Sequence, residues 1–269
     1  MGRELVGGGY IQADETTVGV QMHDKRGKNH QAYLWQYGTP GGSVIFDFQM
    51  GRSREGPKDF LGRFEGILQT DGYTAYDRTG GPKMVHAACW AHARRRVFDA
   101  LKLNPDDRVA RQLVERTDAL FLIDAEARNA GMDHAARHAL RHQRSLARHH
   151  QGRDEVSPGS RAACQCAGKG GQLHAVALAQ TDQVPGTSRI GAEQQLGGEL
   201  DALGRKNWMH VGSEEAEPKV AAILSVIESC RRLKLSVRQY LASILPGLAD
   251  RPVQRVGEYT PAAWAASRL

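Results

Sequence analysis

The sequence holds only four cysteines in 269 residues: Cys89, Cys164, Cys166 and Cys230. That is too few for a disulfide framework and points to a reducing compartment, the cytoplasm. There is no unbroken apolar run of the roughly 18 residues needed to cross a bilayer. The start, from Met1 to Gly9, lacks an apolar stretch of signal-peptide length, which argues against secretion. Acid is in deficit: 30 Asp and Glu stand against 36 Lys and Arg, giving a net charge of +6 and a pI of about 9.2. The imbalance favours a polyanionic partner such as DNA without requiring one. The remainder, with 41% hydrophobic and 25% charged residues, has the composition of an ordinary globular protein. The length allows one large domain or two small ones.

Residues 10–103 read as mixed strand and helix. Tyr10-Ile-Gln-Ala-Asp14 is a short strand that ends in an acid. The stretch from Gln31 to Tyr37 carries Tyr33, Leu34, Trp35 and Tyr37, residue types that favour strands. From Ser43 to Met50 the pattern alternates, with Val44, Phe46, Phe48 and Met50 on one face and Asp47 and Gln49 on the other; Ile45 breaks it. Gly38-Thr-Pro-Gly-Gly42 between these strands is a turn. Pro57 can open a helix through Phe60 to Phe64. Gly66 to Asp71 reads as a fourth strand, closed by Gly72. Met84 to Ala88 is a fifth, running into a basic helix from Trp90 to about Leu101. Three strands, a helix and a strand is the order of the ribonuclease H-like fold, an α/β class with a mixed sheet flanked by helices.

Beyond this the pattern turns helical. Leu113, Thr117, Leu120 and Phe121 share a helix face. Val220, Ile223, Leu224, Ile227 and Cys230 do so near the C terminus. Val237 to Leu245 is a short helix stopped by Pro246-Gly247, and Thr260 can cap a last turn that has Pro261 at its first position.

In the ribonuclease H-like fold, acids at the ends of the first and fourth strands meet, and Asp14 and Asp71 occupy those places. Two close carboxylates suit hard divalent cations, which demand oxygen ligands. A metal pair so held can activate water or a 3′-hydroxyl and stabilise the leaving oxygen of a phosphodiester. Each Asp could equally be one that merely ends a strand at a turn. Cys89 and His92 are spaced like two metal ligands, with His86 as a third donor, but two ligands do not make a zinc site, and packing at a strand–helix junction explains them as well. Arg94, Arg95 and Arg96 open a helix and can contact phosphate oxygens, or form a solvated face. Gly204-Arg205-Lys206-Asn207-Trp208 joins two positive charges to an aromatic, as nucleic-acid contacts do.

Gln12-Ala-Asp14-Glu-Thr16, Gln69-Thr-Asp71-Gly-Tyr73 and Cys89-Trp-Ala-His92-Ala-Arg-Arg95 resemble the signature segments of insertion-sequence-66 family transposases. The tail from Gly204 through Lys219 to Arg232 and on to Leu245-Pro-Gly-Leu248 resembles that family too. The likeness covers about 10–146 and 203–266. It implies a ribonuclease H-like core with an Asp–Asp–Glu triad that cuts and joins transposon ends with Mg²⁺ or Mn²⁺. Asp14 and Asp71 match the two aspartates. The implied partners are transposon-end DNA, further copies of the chain and accessory proteins of the element, with no membrane. Full-length relatives also carry an N-terminal DNA-binding region, which the chain is expected to lack.

The third acid of the family lies in a motif resembling Asn-Asn-Leu-Ala-Glu-Asn. In its place stands Gly191-Ala-Glu-Gln-Gln-Leu-Gly-Gly-Glu-Leu-Asp201. One back-translation of these residues, read one nucleotide later, encodes Glu-Leu-Ser-Asn-Asn-Leu-Ala-Glu-Asn-Ser-Met. Cys164 to Gln172 shifts to family-like sequence in the same frame. We therefore expect a frameshift near Leu146 to His150 and a compensating deletion near Ala202. Residues 1–103 are then the catalytic core with the first two acids. Residues 104–146 are a helical segment, 147–202 an out-of-frame, poorly ordered segment, and 203–269 the helical C-terminal part. Glu199 falls near the position of the third acid, but Gly197 and Gly198 disfavour the rigid helix that such an acid needs. The expectation is a transposase by descent whose activity is lost. The alternatives are a residual metal-dependent nuclease and a non-enzymatic DNA-binding remnant.

Overall fold

The computed structural model describes residues 1–22, 27–133, 136–137, 139–140 and 211–268. The segment 147–202, Glu199, Arg205 and Lys206 lie outside the described residues. The chain divides into two units, one of Met1–His86 with Gln195–Leu269 and one of Ala87–Gln194.

The first unit opens with a short helix, α1 (Gly2–Val6), and is built on a mixed five-stranded sheet in the order β3-β2-β1-β4-β5. The three long strands form an antiparallel meander: β1 (Tyr10–Val20), β2 (His30–Gly38) and β3 (Val44–Gln49). The turn between β2 and β3 closes with Thr39 N–H on Ser43 O at 3.3 Å. Helix α2 (Glu55–Leu61) then leads to β4 (Ile67–Thr70), which runs parallel to β1 with Gln12 opposite Gln69. The last strand is β5 (Val85–Ala88).

The sheet is covered on both faces. Ile11, Ala13, Trp35, Tyr37 and Leu68 face one way and pack with Leu5, Leu61, Phe64 and Tyr76. Leu34, Val44 and Phe46 face the other way and pack with Ala221, with Val18, Phe48 and Leu224 against them. This explains why Ile45 broke the alternation: it packs against the first core, on the face that also carries Asp47 and Gln49.

The second face is closed by helix α5 (Glu217–Arg232). Here the structure corrects the sequence reading. Of the expected stripe of Val220, Ile223, Leu224, Ile227 and Cys230, Cys230 is buried and Leu224 packs against the core, whereas Ile223 is 53% exposed. The other buried positions are Glu217, Ala221, Ser225, Glu228 and Ser229. The reason is the edge strand. Val44 N–H donates to Ser229 Oγ at 3.0 Å and Phe46 N–H to Ser225 Oγ at 2.8 Å, and Ser229 Oγ donates to Val44 O at 3.1 Å. An edge strand exposes backbone groups that need partners, and two serines one helical turn apart supply them. A hydrophobicity pattern cannot register such a contact.

Past α5, Ser236 caps α6 (Val237–Ile244), whose Tyr240 is buried and donates to Tyr259 O at 2.6 Å. Thr260 caps α7 (Pro261–Ala266), with Pro261 in its first turn as the sequence indicated. Trp264 of α7 meets Tyr240 edge-on, with ring centroids 5.5 Å apart.

The described part of the second unit holds α3 (Trp90–Leu103) and α4 (Arg108–Asn129), packed against each other. Asp107 caps α4 by accepting from Ala110 N–H at 3.0 Å. Its buried positions are Ala110, Val114, Thr117, Ile123, Asp124 and Ala127, whereas Leu113, placed on the inner face by periodicity, is 44% exposed.

Candidate active site

The site lies where β4 ends beside the middle of β1. The parallel register pairs Ile11 with Leu68 and Gln12 with Gln69. Asp14 and Asp71 each lie two residues beyond that last pair. Because side chains alternate along a strand, Asp14 emerges on the face that carries Gln12, and Asp71 follows the last residue of β4. Those glutamines are joined there, Gln12 Nε2 donating to Gln69 Oε1 at 3.0 Å and Tyr10 OH donating to the same oxygen. The strand ends at once: Gly72 adopts φ +88°, a left-handed conformation that glycine takes without strain.

Each acid is oriented by backbone. Tyr73 N–H donates to Asp71 Oδ1 at 2.7 Å, and Glu15 N–H donates to Asp14 Oδ1 at 2.9 Å. Beneath Asp71, Thr70 Oγ1 accepts from Gly72 N–H at 2.9 Å and lies 2.7 Å from His86 Nε2, while His86 Nδ1 stands 3.4 Å from Asp77 Oδ1. Burial pushes the His86 imidazole below its ordinary pKa against the opposing pull of Asp77. A neutral ring with Nδ1–H toward Asp77 and Nε2 accepting from Thr70 satisfies both contacts. Both ring nitrogens of His86 thus have a partner within the first unit.

Three further side chains complete the site, and the sequence reading did not single them out. Glu15, whose side chain is 3% exposed, pairs with Arg52, which donates to it through Nε at 3.0 Å and also through Nη2. Tyr76 OH donates to Glu15 Oε2 at 3.2 Å. Burial holds the Glu15 carboxyl above its ordinary pKa; the Arg52 hydrogen bond opposes this, and Asp71 and Asp14 add to it. The charges of Asp71 and Asp14 thus reach Glu15. The tyrosine hydroxyl of Tyr76 is also pushed well up by burial and by the same acids. The only signal in the sequence was that Glu15 follows Asp14 directly, which in a strand points it to the opposite face.

The oxygen-only donor set of Asp14 and Asp71 fits a hard divalent cation such as Mg²⁺. Among the described residues no group of three or more His, Cys, Asp or Glu forms a metal-holding cluster. In the second unit, Cys89 stands at the start of α3. Burial would raise its thiol pKa, but hydrogen bonds and charge from His92 outweigh this and hold it below the ordinary value. Arg94 is taken up by Asp118, through Nη2 at 3.0 Å and through Nε, and its guanidinium also lies over Phe98. Arg95 and Arg96 are exposed on the same helix.

A family model described as "Transposase IS66 family" matches residues 1–219, a span that runs across 147–202. The chain is 28% identical over 285 residues to the uncharacterized protein y4hP of Sinorhizobium fredii, covering 94% of this chain and 50% of that one. It is 33% identical over 156 residues to the uncharacterized protein y4qI of the same organism, covering 52% of this chain and 28% of that one. The chain thus spans half the length, or less, of these curated relatives. No solved structure matches it. Among the described residues no helix is long and apolar enough to cross a membrane.

Proposed function

The chain belongs to the IS66 transposase family, and from that premise we propose that it derives from an enzyme that cut and joined transposon-end DNA, with Asp14 and Asp71 as two acids of an Asp–Asp–Glu triad. The observation that supports the reading is the parallel β1–β4 pairing, with Gln12 opposite Gln69, from which Asp14 and Asp71 each follow two residues on. The strand order β3-β2-β1-β4-β5, with β4 parallel to β1, is in keeping with a ribonuclease H-like core. Asp14 and Asp71 would hold Mg²⁺ or Mn²⁺, and the bound cations would supply activation of the attacking hydroxyl and charge stabilisation at the phosphate. The protein's own part is to fix the carboxylates, through Tyr73 N–H, Glu15 N–H and the Thr70–His86–Asp77 brace. DNA is the partner that family membership suggests, and Arg95 and Arg96 offer exposed positive charge for it.

In our reading this copy is inactive. A frame change across 147–202 removes the motif that carries the third acid, and Gly197 and Gly198 beside Glu199 make it a poor replacement. Losing one acid of such a site costs several kcal/mol of transition-state stabilisation, on the order of a thousandfold or more in rate. The test is a nicking and strand-transfer assay on transposon-end DNA with Mg²⁺ or Mn²⁺. The chain as it stands should show no cleavage. A repaired chain, with 147–202 exchanged for the shifted-frame translation and the deleted piece restored, should cleave, and Asp14→Asn or Asp71→Asn in it should abolish cleavage. Cleavage by the unrepaired chain that is lost in Asp14→Asn would refute inactivity and favour the residual nuclease.

A further inference from the structure

Arg52 is held in a way that an ordinary surface arginine is not. Its Nε and Nη2 both donate to Glu15 Oε1, and its guanidinium carbon lies 3.9 Å above the Tyr73 ring and 5.9 Å from the Tyr33 ring. Tyr73 is itself stacked on buried Trp35, with centroids 6.4 Å apart and planes 25° from parallel, and its OH donates to Arg52 O at 3.0 Å. Trp35, Tyr73 and Arg52 therefore form a layered stack anchored in the core and ending in a cation. Arg54, from the same segment before α2, reaches Thr74 O at 3.4 Å. Two arginines thus grip the turn that follows Asp71.

The placement is specific. Tyr73 lies two residues past Asp71 and donates its N–H to that carboxylate, and Glu15 does the same for Asp14. The Arg52 charge is felt by Glu15 and feels Asp71. Yet the Arg52 side chain remains 43% exposed, and no described hydrogen bond uses its Nη1. A guanidinium has five N–H donors in a rigid plane. With Nε and Nη2 tied to Glu15 and one face on Tyr73, the guanidinium is held in place while part of it stays open to solvent, within reach of the Asp71 charge. Fixed donors of this kind bind phosphate with little loss of side-chain freedom.

We propose that Arg52, positioned by Glu15 and Tyr73, is a phosphate clamp that holds the DNA backbone next to the Asp14–Asp71 pair. The inference rests on the reading of this site as a DNA-processing one. It adds a binding residue that neither acid supplies: carboxylates alone repel a polyanion, and a cation set among them offsets that repulsion where the strand must approach. Glu15 and Tyr73 are positioning residues in this arrangement.

The experiment is DNA binding by the full chain to a transposon-end duplex, followed by fluorescence anisotropy across a salt series in EDTA, so that no metal-dependent step enters. Each phosphate contact contributes about one to the slope of log affinity against log salt. Arg52→Gln should lower the slope by about one and weaken binding roughly tenfold near 0.1 M salt. Arg52→Lys should keep the slope while weakening binding, because charge is retained and the plane is lost. Arg63→Gln, an exposed arginine before the opposite end of β4, should change neither. If Arg52→Gln fails to fold, the Glu15→Gln/Arg52→Gln pair, which leaves no buried charge unpaired, carries the same comparison. Binding with an unchanged slope in the folded Arg52 variant would overturn the clamp alone. Absence of any salt-dependent binding by the unaltered chain would overturn the DNA-processing reading and the clamp with it.

Discussion

Asp71 stands two residues past Gln69, directly after β4, as Asp14 stands two residues past Gln12, the strand partner of Gln69, within β1. Glu15 adds a third negative group within reach of their charges, with Arg52 as its counterion. Like charges gathered in this way cost folding energy when no cation balances them. In EDTA at neutral pH, Asp14→Asn or Asp71→Asn should therefore raise stability, by about 1 kcal/mol, since asparagine Oδ1 still accepts the backbone N–H that each aspartate accepts. Thermal melts at low salt check this, and a lower melting temperature in both variants would contradict it.

The edge of the sheet gives a second expectation. Removing Ser229 Oγ leaves Val44 N–H and Val44 O unsatisfied, and removing Ser225 Oγ leaves Phe46 N–H so. A buried backbone group without a partner costs about 1–3 kcal/mol. Ser229→Ala should cost about 2 kcal/mol and Ser225→Ala about 1 kcal/mol in urea unfolding, the larger figure belonging to the hydroxyl that both accepts and donates. Equal and negligible losses would show that water reaches this edge.

Glu217 provides a pH dependence. It is fully buried at the start of α5, neither carboxylate oxygen has a hydrogen-bond partner among the described residues, and burial pushes its pKa up to about 7. The folded state therefore holds this proton more tightly than the unfolded chain does. Its contribution to stability is fully present below the unfolded pKa near 4.5 and is lost as pH rises through about 7. Glu217→Gln should then unfold less readily above pH 7, by on the order of 2 kcal/mol, and should match the unaltered chain near pH 4.5. A difference between the two that does not vary with pH would contradict this.

The gene offers a fourth check. Read one nucleotide later between about codons 150 and 201, it should encode an uninterrupted family-like segment ending in Asn-Asn-Leu-Ala-Glu-Asn. A stop codon or unrelated sequence in that frame would remove the frameshift.

The strands were legible because alternation and turn residues are local signals, although the first runs on to Val20, so Asp14 stands within it and not at its end. Asp14 and Asp71 each sit where apolar residues give way to polar ones, and after Asp71 Gly72 marks the stop. The cover of α5 over β3 was not legible, since its contact is made by Ser225 and Ser229, which hydropathy scores as surface. Arg52 was hidden for a different reason. Its meaning comes from Glu15 and Tyr73, which are 37 and 21 residues away along the chain, and no spacing rule links them. The partners of His86, Thr70 and Asp77, were hidden in the same way, since they lie on other elements of the unit.

The central claim is that Asp14 and Asp71 together form a metal-holding pair, and calorimetric titration of the full chain with Mn²⁺ tests it most directly. The account predicts binding of a single Mn²⁺ per chain, weakened at least tenfold by Asp14→Asn and likewise by Asp71→Asn, with both variants still folded. Mn²⁺ binding that survives both substitutions unchanged would contradict it.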